Sequence, residues 1–368
     1  MLNDFGRQWE HTAAGVLAAV ASVGESGWYV QGKNLAEFEQ SLAGLWQRRY
    51  AAGVASGLDA LEISLRILGC GPGDLVLTTP LSAFATTLAI LKIGAVPIFV
   101  DTDRSGHLDL ALCREVLRQR ENIRFLLPVH LYGNALDLSA LRALRTEFDL
   151  KVVEDCAQAI LATSAGIPAG SVGHFAATSF YPTKNLGALG DGGAILTDDG
   201  QFDRLVRVLR DYGQSAKYFH DEIGYNSRLD ELHAAVLNRV YLPKLQRWTA
   251  RRREIAAQYR AGLRNEQCEC LPAPPASGSV HHLFPVLVPE GRKQKFLSYM
   301  RSKGILCGEH YPIPIPDQRA LEGTQWEIAT PLDHARRIAK GEVSLPIHPY
   351  LTDEEVGRVI EAVNEWAS

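Results

Sequence analysis

Ile123-Arg-Phe-Leu-Leu-Pro-Val129 and Val152-Val-Glu-Asp155-Cys-Ala-Gln158-Ala are two short apolar runs, and a helical pattern over about 138–148 lies between them. A run, a helix and a second run within one short stretch predict two parallel strands joined by a crossover helix. The same rhythm extends in both directions. Upstream stand Leu75-Val-Leu-Thr78 and Val96-Pro-Ile-Phe-Val100; downstream stand Ala176-Ala-Thr-Ser-Phe180 and Ala194-Ile-Leu-Thr197. Helical stretches near 83–93, 110–120 and 201–212 separate most of these runs. Leu35, Phe38, Leu42 and Leu45 recur at helical spacing, as do Leu58, Leu61, Leu65 and Leu68. The expectation is an α/β domain, a mostly parallel sheet flanked by helices on both faces. Ligands of such sheets sit beyond the carboxyl ends of the strands.

The chain has 368 residues, more than one hydrophobic core usually serves. A large domain over 1–245 and a smaller α+β domain over 246–368 are therefore expected. Ser227 is read as the cap of a long helix from Arg228 to about Gln246, with a second helical stretch to about Leu263. A Pro-rich loop at 272–278, a strand over 283–288 and a helix over 293–303 follow. Thr352-Asp-Glu-Glu355 is a capping box that opens a last helix.

Composition excludes several classes. Apolar residues make up 46% and charged residues 22%, with a net charge of −4, so neither nucleic acid nor an anionic membrane is an expected partner. The apolar stretch 16–23 is too short to span a bilayer, and 85–100 is broken by Lys92, Gly94 and Pro97. The N-terminus lacks a signal-peptide core. Six scattered cysteines form no CxxC and no zinc spacing, so no metal is expected and the thiols read as reduced, in a cytoplasmic protein. Lys244, Arg247 and Arg251 to Arg253 form a basic patch that reads as a solvated helix face or as a neighbour of a phosphate.

Chemistry concentrates where ligands are expected. Asp155 ends a strand, and Lys184 lies downstream in Ser179-Phe-Tyr-Pro-Thr-Lys184-Asn-Leu-Gly187. An aspartate at a strand end followed by a lysine in a turn is the pair that pyridoxal phosphate requires: the lysine holds the aldehyde, and the carboxylate keeps the pyridine nitrogen protonated. Gln158, one helical turn on, can face the ring hydroxyl. An N-cap Asp with a surface Gln is the plainer reading of the same residues. Ala55-Ser-Gly57-Leu58-Asp-Ala-Leu61 is a turn entering a helix, where backbone N–H groups can receive a phosphate. Ser179 adds a hydroxyl. Phe84 is either a ring-stacking residue or an ordinary core aromatic.

In their common order these segments resemble the DegT/DnrJ/StrS family of sugar aminotransferases. So do Val129-His-Leu-Tyr-Gly133, Gly190-Asp-Gly-Gly193, Tyr225-Asn-Ser-Arg-Leu-Asp-Glu231, His310-Tyr-Pro-Ile-Pro314 and Leu345-Pro-Ile-His-Pro349. The resemblance implies a fold-type I aminotransferase with Lys184 as cofactor anchor and Asp155 on the pyridine nitrogen. It implies Gln158 on the ring hydroxyl, Phe84 against the ring, and Gly57, Leu58 and Ser179 at the phosphate. Leu58 stands where the family usually has Thr, which leaves that position its backbone donor only. Asn226 matches an asparagine that serves the neighbouring subunit's cofactor, implying a homodimer with shared active sites. Tyr181, Arg228, His310 and Tyr311 match substrate-binding positions, although Ile315-Pro-Asp-Gln318 departs from the family's His–Leu–Gln.

The Tyr212-to-His220 segment resembles members that use glutamate to aminate C3 of a dTDP-linked 3-keto-6-deoxyhexose. The products of such members serve surface polysaccharide, lipopolysaccharide or glycoside biosynthesis. A C4 aminotransferase acting on a UDP- or dTDP-linked 4-keto sugar is the nearer alternative. A non-catalytic regulator on the same fold is the remoter one.

Overall fold

In the computed structural model, which describes residues 3–274 and 276–367, the two opening runs are neighbouring parallel strands. Phe125–Leu127 lies beside Lys151–Asp155, with Phe125 opposite Lys151 and Leu126 opposite Val152. Helix Leu138–Glu147 crosses between them, and Asp137 caps it by accepting the N–H groups of Ser139 and Ala140. The eight strands of this sheet run, edge to edge, Tyr50–Val54, Gly193–Thr197, Phe175–Ser179, Lys151–Asp155, Phe125–Leu127, Leu75–Thr78, Val96–Phe99 and Glu327–Ile328. Pairing is parallel from Phe175–Ser179 to the last strand and antiparallel at Tyr50–Val54 and Gly193–Thr197.

Successive side chains point to opposite faces of each strand, so one apolar run feeds two cores. Val76, Phe125 and Val153 pack with Leu61, Ile63 and Leu65 of helix Gly57–Ile67. Their neighbours Leu77, Leu126 and Val152 pack with Leu141 and Leu144 on the other side. Each fully buried Leu or Val contributes about 1.5–3 kcal/mol, so covering both faces demands the unbroken apolar runs seen in the sequence.

A three-stranded sheet of Glu269–Cys270, Phe284–Leu287 and Glu342–Leu345 gathers a separate core with helices Lys293–Ser302 and Asp353–Glu365. Phe296, Met300, Val343, Val356 and Trp366 fill it. The capping box at Thr352 and Glu355 is formed. From the same third of the chain, Glu327–Ile328 returns to the large sheet, where Ala329 N–H reaches Phe99 O at 2.8 Å. Asp101 then holds the next helix, Asp333–Gly341, by accepting His334 and Ala335 N–H at 3.0 Å each.

One helix was not anticipated in the sequence, and another departs from its reading. The 16–23 stretch belongs to a helix, Phe5–Ser26, that buries Thr12, Val16, Ala19 and Val23 on one face. The long helix expected from Arg228 begins instead at Glu231 and breaks up at Leu237–Tyr241, a π turn, and Leu242–Lys244, a 3-10 turn, before Leu245–Gly262 resumes. Pro243 has no N–H for the helical ladder, which accounts for the break. Ser227 does not cap: its hydroxyl donates to Asp59 at 2.7 Å and accepts Ala55 N–H at 3.0 Å. Among the described residues, no helix is long and apolar enough to cross a membrane.

Candidate active site

The carboxyl ends of four adjacent parallel strands deliver the chemistry-bearing segments. After Leu75–Thr78 comes Pro80 to Phe84; after Phe125–Leu127 comes His130 to Tyr132; after Lys151–Asp155 come Ala157 and Gln158; after Phe175–Ser179 comes Lys184. Asp155 is buried and held on both oxygens. Thr86 Oγ1 donates to its Oδ2 at 2.9 Å, and Ala157 N–H donates to its Oδ1 at 3.1 Å. Burial lowers the Lys184 ammonium from its ordinary value to about 8, against the opposing pull of the Asp155 charge. A lysine in that state is partly neutral near physiological pH, able to act as nucleophile and as proton carrier.

Beside this pair lies a cradle of small groups. Helix Gly57–Ile67 starts at Ser56, whose hydroxyl accepts Asp59 N–H at 3.1 Å. The N–H groups of Gly57 and Leu58, in the first turn, have no acceptor within the helix. Gly57 is tight against Ser179: a Cβ at 57 would lie 2.7 Å from the Ser179 Cβ. Gly193 is tight from the other side, since a Cβ there would lie 2.7 Å from the Gly57 nitrogen. Ser179 Oγ accepts Tyr181 N–H at 3.2 Å, and its own hydroxyl proton is free to turn toward a phosphate.

Opposite stands a wall joined by hydrogen bonds. Gln158 Oε1 accepts Tyr132 N–H at 2.7 Å, and its amide donates to the Tyr311 hydroxyl at 3.1 Å. The Tyr132 hydroxyl donates to His310 O at 2.7 Å. His282 and His310 both feel the Lys184 charge. Burial and that charge push His310 down to about 4 and His282 well below its ordinary value, so both rings are neutral. His282 Nδ1 is 3.1 Å from Asn185 Oδ1, one residue past Lys184. Phe84 opens helix Phe84–Lys92 and packs beside Phe99, Ile315 and Leu321. Ile315 N–H bonds Pro80 O at 2.8 Å, tying the His310 segment to the Phe84 segment.

Lys184, Asp155, Gln158, His310 and Tyr311 thus converge. Asn226, Arg228 and Tyr181 do not join them: among the described residues none hydrogen-bonds to Lys184, Asp155 or Gln158. Arg228 pairs with Asp211 at 2.8 Å, lies over the Tyr212 ring and donates to Asn226 Oδ1. Tyr181 is half exposed. Thr86, Tyr132 and His282 were missed. Thr86 lies two residues past Phe84 and Tyr132 within Val129–Gly133, but only the fold shows their partners; His282 carries no sequence signal at all.

The dTDP-3-amino-3,4,6-trideoxy-alpha-D-glucose transaminase of Streptomyces venezuelae is 41% identical over 366 residues, 99% of this chain and 95% of that protein. A UDP-N-acetyl-3-dehydro-alpha-D-glucosamine 3-aminotransferase of Acidithiobacillus ferrooxidans is 35% identical, covering 95% of this chain and 92% of its own. The crystal structure of S. venezuelae DesV matches the fold with a TM-score of 0.93 at 40% identity, over 99% of this chain and 97% of that one. The model of the DegT/DnrJ/EryC1/StrS aminotransferase family spans residues 11–364. With its lysine and aspartate meeting at the strand ends and nearly its whole length inside that match, the chain belongs to this family of pyridoxal-phosphate-dependent aminotransferases.

Proposed function

We propose that the protein transfers an amino group from glutamate to C3 of a dTDP-linked 3-keto-6-deoxyhexose. The observation that carries the reading is Lys184, whose ammonium desolvation lowers to about 8, within the field of the buried carboxylate of Asp155. The matched relatives of Streptomyces and Acidithiobacillus both bear names of C3 chemistry, and the more similar of the two is a dTDP-sugar enzyme.

The residues fit the cofactor. Lys184 is the amine for its aldehyde, Asp155 the anion for its ring nitrogen, and Gln158 a partner for its ring hydroxyl. The close approach of Gly57 to Ser179 leaves backbone and hydroxyl donors for its phosphate. Pyridoxal phosphate supplies a carbonyl for the amine and a ring that accepts electrons. Lys184 Nζ, neutral, takes the Cα proton of the amino donor. Asp155 keeps a negative charge buried where a protonated ring needs it, and Thr86 fixes its orientation. Phe84 supports the Pro80-to-Phe84 turn against the ring. His310 and Tyr311 line the sugar side; Tyr181 and Arg228, which stand apart from this cluster within one chain, are assigned to substrate, Arg228 to the carboxylate of the amino donor.

The reading includes a cytoplasmic homodimer with shared sites, Asn226 reaching the partner's cofactor, and a division of the chain into 1–245 and 246–368. Support for the dimer comes from Tyr218, Phe219 and Ile223, which are 80%, 69% and 83% exposed on the segment leading to Asn226.

The test is a panel of dTDP-, UDP- and GDP-linked 3-keto and 4-keto sugars with glutamate, with NMR of the product. An amine at C3 of a dTDP sugar is expected. An amine at C4, or turnover only with another nucleotide, overturns the substrate assignment, and no turnover with any keto sugar overturns the activity.

A further inference from the structure

Strand Glu342–Leu345 pairs with the segment before His310: Gly308 N–H meets Ser344 O at 2.9 Å, and Ser344 N–H meets Gly308 O at 2.8 Å. This pairing lines up three side chains. Glu342 Oε2 accepts the backbone N–H of His310 at 2.6 Å, and its Oε1 meets the Ser344 hydroxyl. Ser344 Oγ lies 2.9 Å from His310 Nδ1. Glu342 and Ser344 are both fully buried. Among the described residues, His310 Nε2 has no hydrogen-bond partner.

The His310 backbone N–H can only donate, so Oε2 accepts whatever the charge on Glu342. Only Oε1 can change role. As a carboxylate, Glu342 takes the Ser344 proton at Oε1. Ser344 Oγ then accepts from Nδ1–H, and Nε2 is a bare acceptor. As a neutral acid, Glu342 donates from Oε1 to Ser344, which donates to Nδ1. The one proton of the neutral ring then sits on Nε2, which becomes a donor. We propose that Glu342, acting through Ser344, decides which nitrogen of His310 carries the proton, and so whether the free nitrogen of this ring accepts or donates. Glu342 and Ser344 are positioning residues in this scheme. The consequence for the substrate rests on the reading of His310 as part of the sugar wall.

The surroundings place the exchange within a working pH range. Burial, helped by the Glu309 charge, raises Glu342 to about 8, opposed by the Ser344 and His310 hydrogen bonds and by Lys293 of helix Lys293–Ser302. Lys293 is itself held by Glu309 at 2.9 Å and by Ala339 O at 2.8 Å. Cys307, Tyr132 and Tyr311 also face Glu342, all neutral because burial raises their pKa values. Lys184, Glu309 and His282 face His310. A raised carboxyl is ionised only at high pH, so Nε2 is the acceptor above the Glu342 midpoint and the donor below it.

The tautomer of His310 is read from nitrogen NMR of histidine-15N-labelled holoenzyme, assigned by the signal lost in His310→Asn. At about pH 9.5, above the Glu342 midpoint, the wild type is expected to carry mainly Nδ1–H. Glu342→Gln keeps the size, accepts the His310 N–H with its amide oxygen and can only donate to Ser344, so it should show Nε2–H wherever the ring is neutral. The same tautomer in both proteins at that pH would overturn the proposal. Ser344→Ala gives an independent check: it should abolish the pH-driven exchange, and an exchange unchanged from wild type would also overturn it. In kinetics, Glu342→Gln at the same pH should raise KM for the keto sugar about fivefold, the worth of one hydrogen bond, and leave KM for glutamate within about twofold. A switched tautomer with unchanged sugar KM upholds the relay and removes His310 from the sugar wall.

Discussion

Gly57 and Ser179 touch so closely that the first turn of helix Gly57–Ile67 and the lysine-bearing segment share one surface. A methyl group at 57 would meet the Ser179 Cβ at 2.7 Å. Gly57→Ala should therefore cost about 1–3 kcal/mol of stability by overpacking and weaken cofactor retention at least about tenfold. Ser179→Gly removes the clashing atom. The double variant should recover most of the lost stability in a denaturant titration, a coupling that independent sites would not show.

Lys184 gives a pH signature. Its neutral form attacks the aldehyde, and burial lowers its pKa to about 8. The rate of pyridoxal phosphate uptake by the apoprotein should rise with pH and reach half its plateau near 8, well below the value for an exposed lysine. Stopped-flow absorbance follows the uptake. Lys184→Ala should show neither this signal nor a visible band sensitive to borohydride, and its turnover should fall at least about a thousandfold.

Asp155→Asn keeps the shape and the Thr86 contact but removes the buried negative charge. Cofactor should still bind, while kcat falls by more than about tenfold, or roughly 1.4 kcal/mol. Thr86→Val should fall between that variant and wild type, because it frees Asp155 from one of its two anchors without discharging it. Single-turnover absorbance with glutamate alone separates this chemical defect from weakened sugar binding.

The proposed sharing of active sites between subunits is decided by a subunit-mixing experiment. Lys184→Ala and Asn226→Asp homodimers should each be nearly inactive. If Asn226 serves the partner's site, a mixed dimer contains one site with both defects and one with neither. Random reassortment of equal amounts should then restore roughly a quarter of wild-type activity. If Asn226 serves its own site, both sites of the mixed dimer are damaged and mixing restores nothing.

The sheet was readable because its strands are covered on both faces. That demand writes continuous apolar runs into the sequence, such as Leu75-Val-Leu-Thr78, which forms a strand with those bounds. Asp155 was readable because it ends such a run, and Lys184 because it follows one within the Ser179-to-Gly187 segment that resembles the family. The helix from Arg228 was misread because the Ser227 hydroxyl is taken by Asp59, 168 residues away, and Pro243 interrupts the ladder. Thr86, His282 and Glu342 stayed hidden for the same kind of reason. Their significance lies in partners that local spacing does not reveal, and Glu342 reads in sequence as merely the polar start of an apolar strand. The Phe5–Ser26 helix is rich in alanine and glycine, which blurs its apolar stripe.

The two-residue strand Glu327–Ile328 covers the open side of Val96–Phe99, and the ribosome delivers it only after most of the chain has emerged. Until then Val96–Phe99 presents unpaired backbone along an apolar border, the kind of surface that recruits strands from other molecules. Chains cut short soon after residue 245 should accordingly collect in inclusion bodies rather than persist as a free half. A cut-off chain that remained monomeric and clear at high concentration would show that Asp101 and its neighbours guard that border unaided.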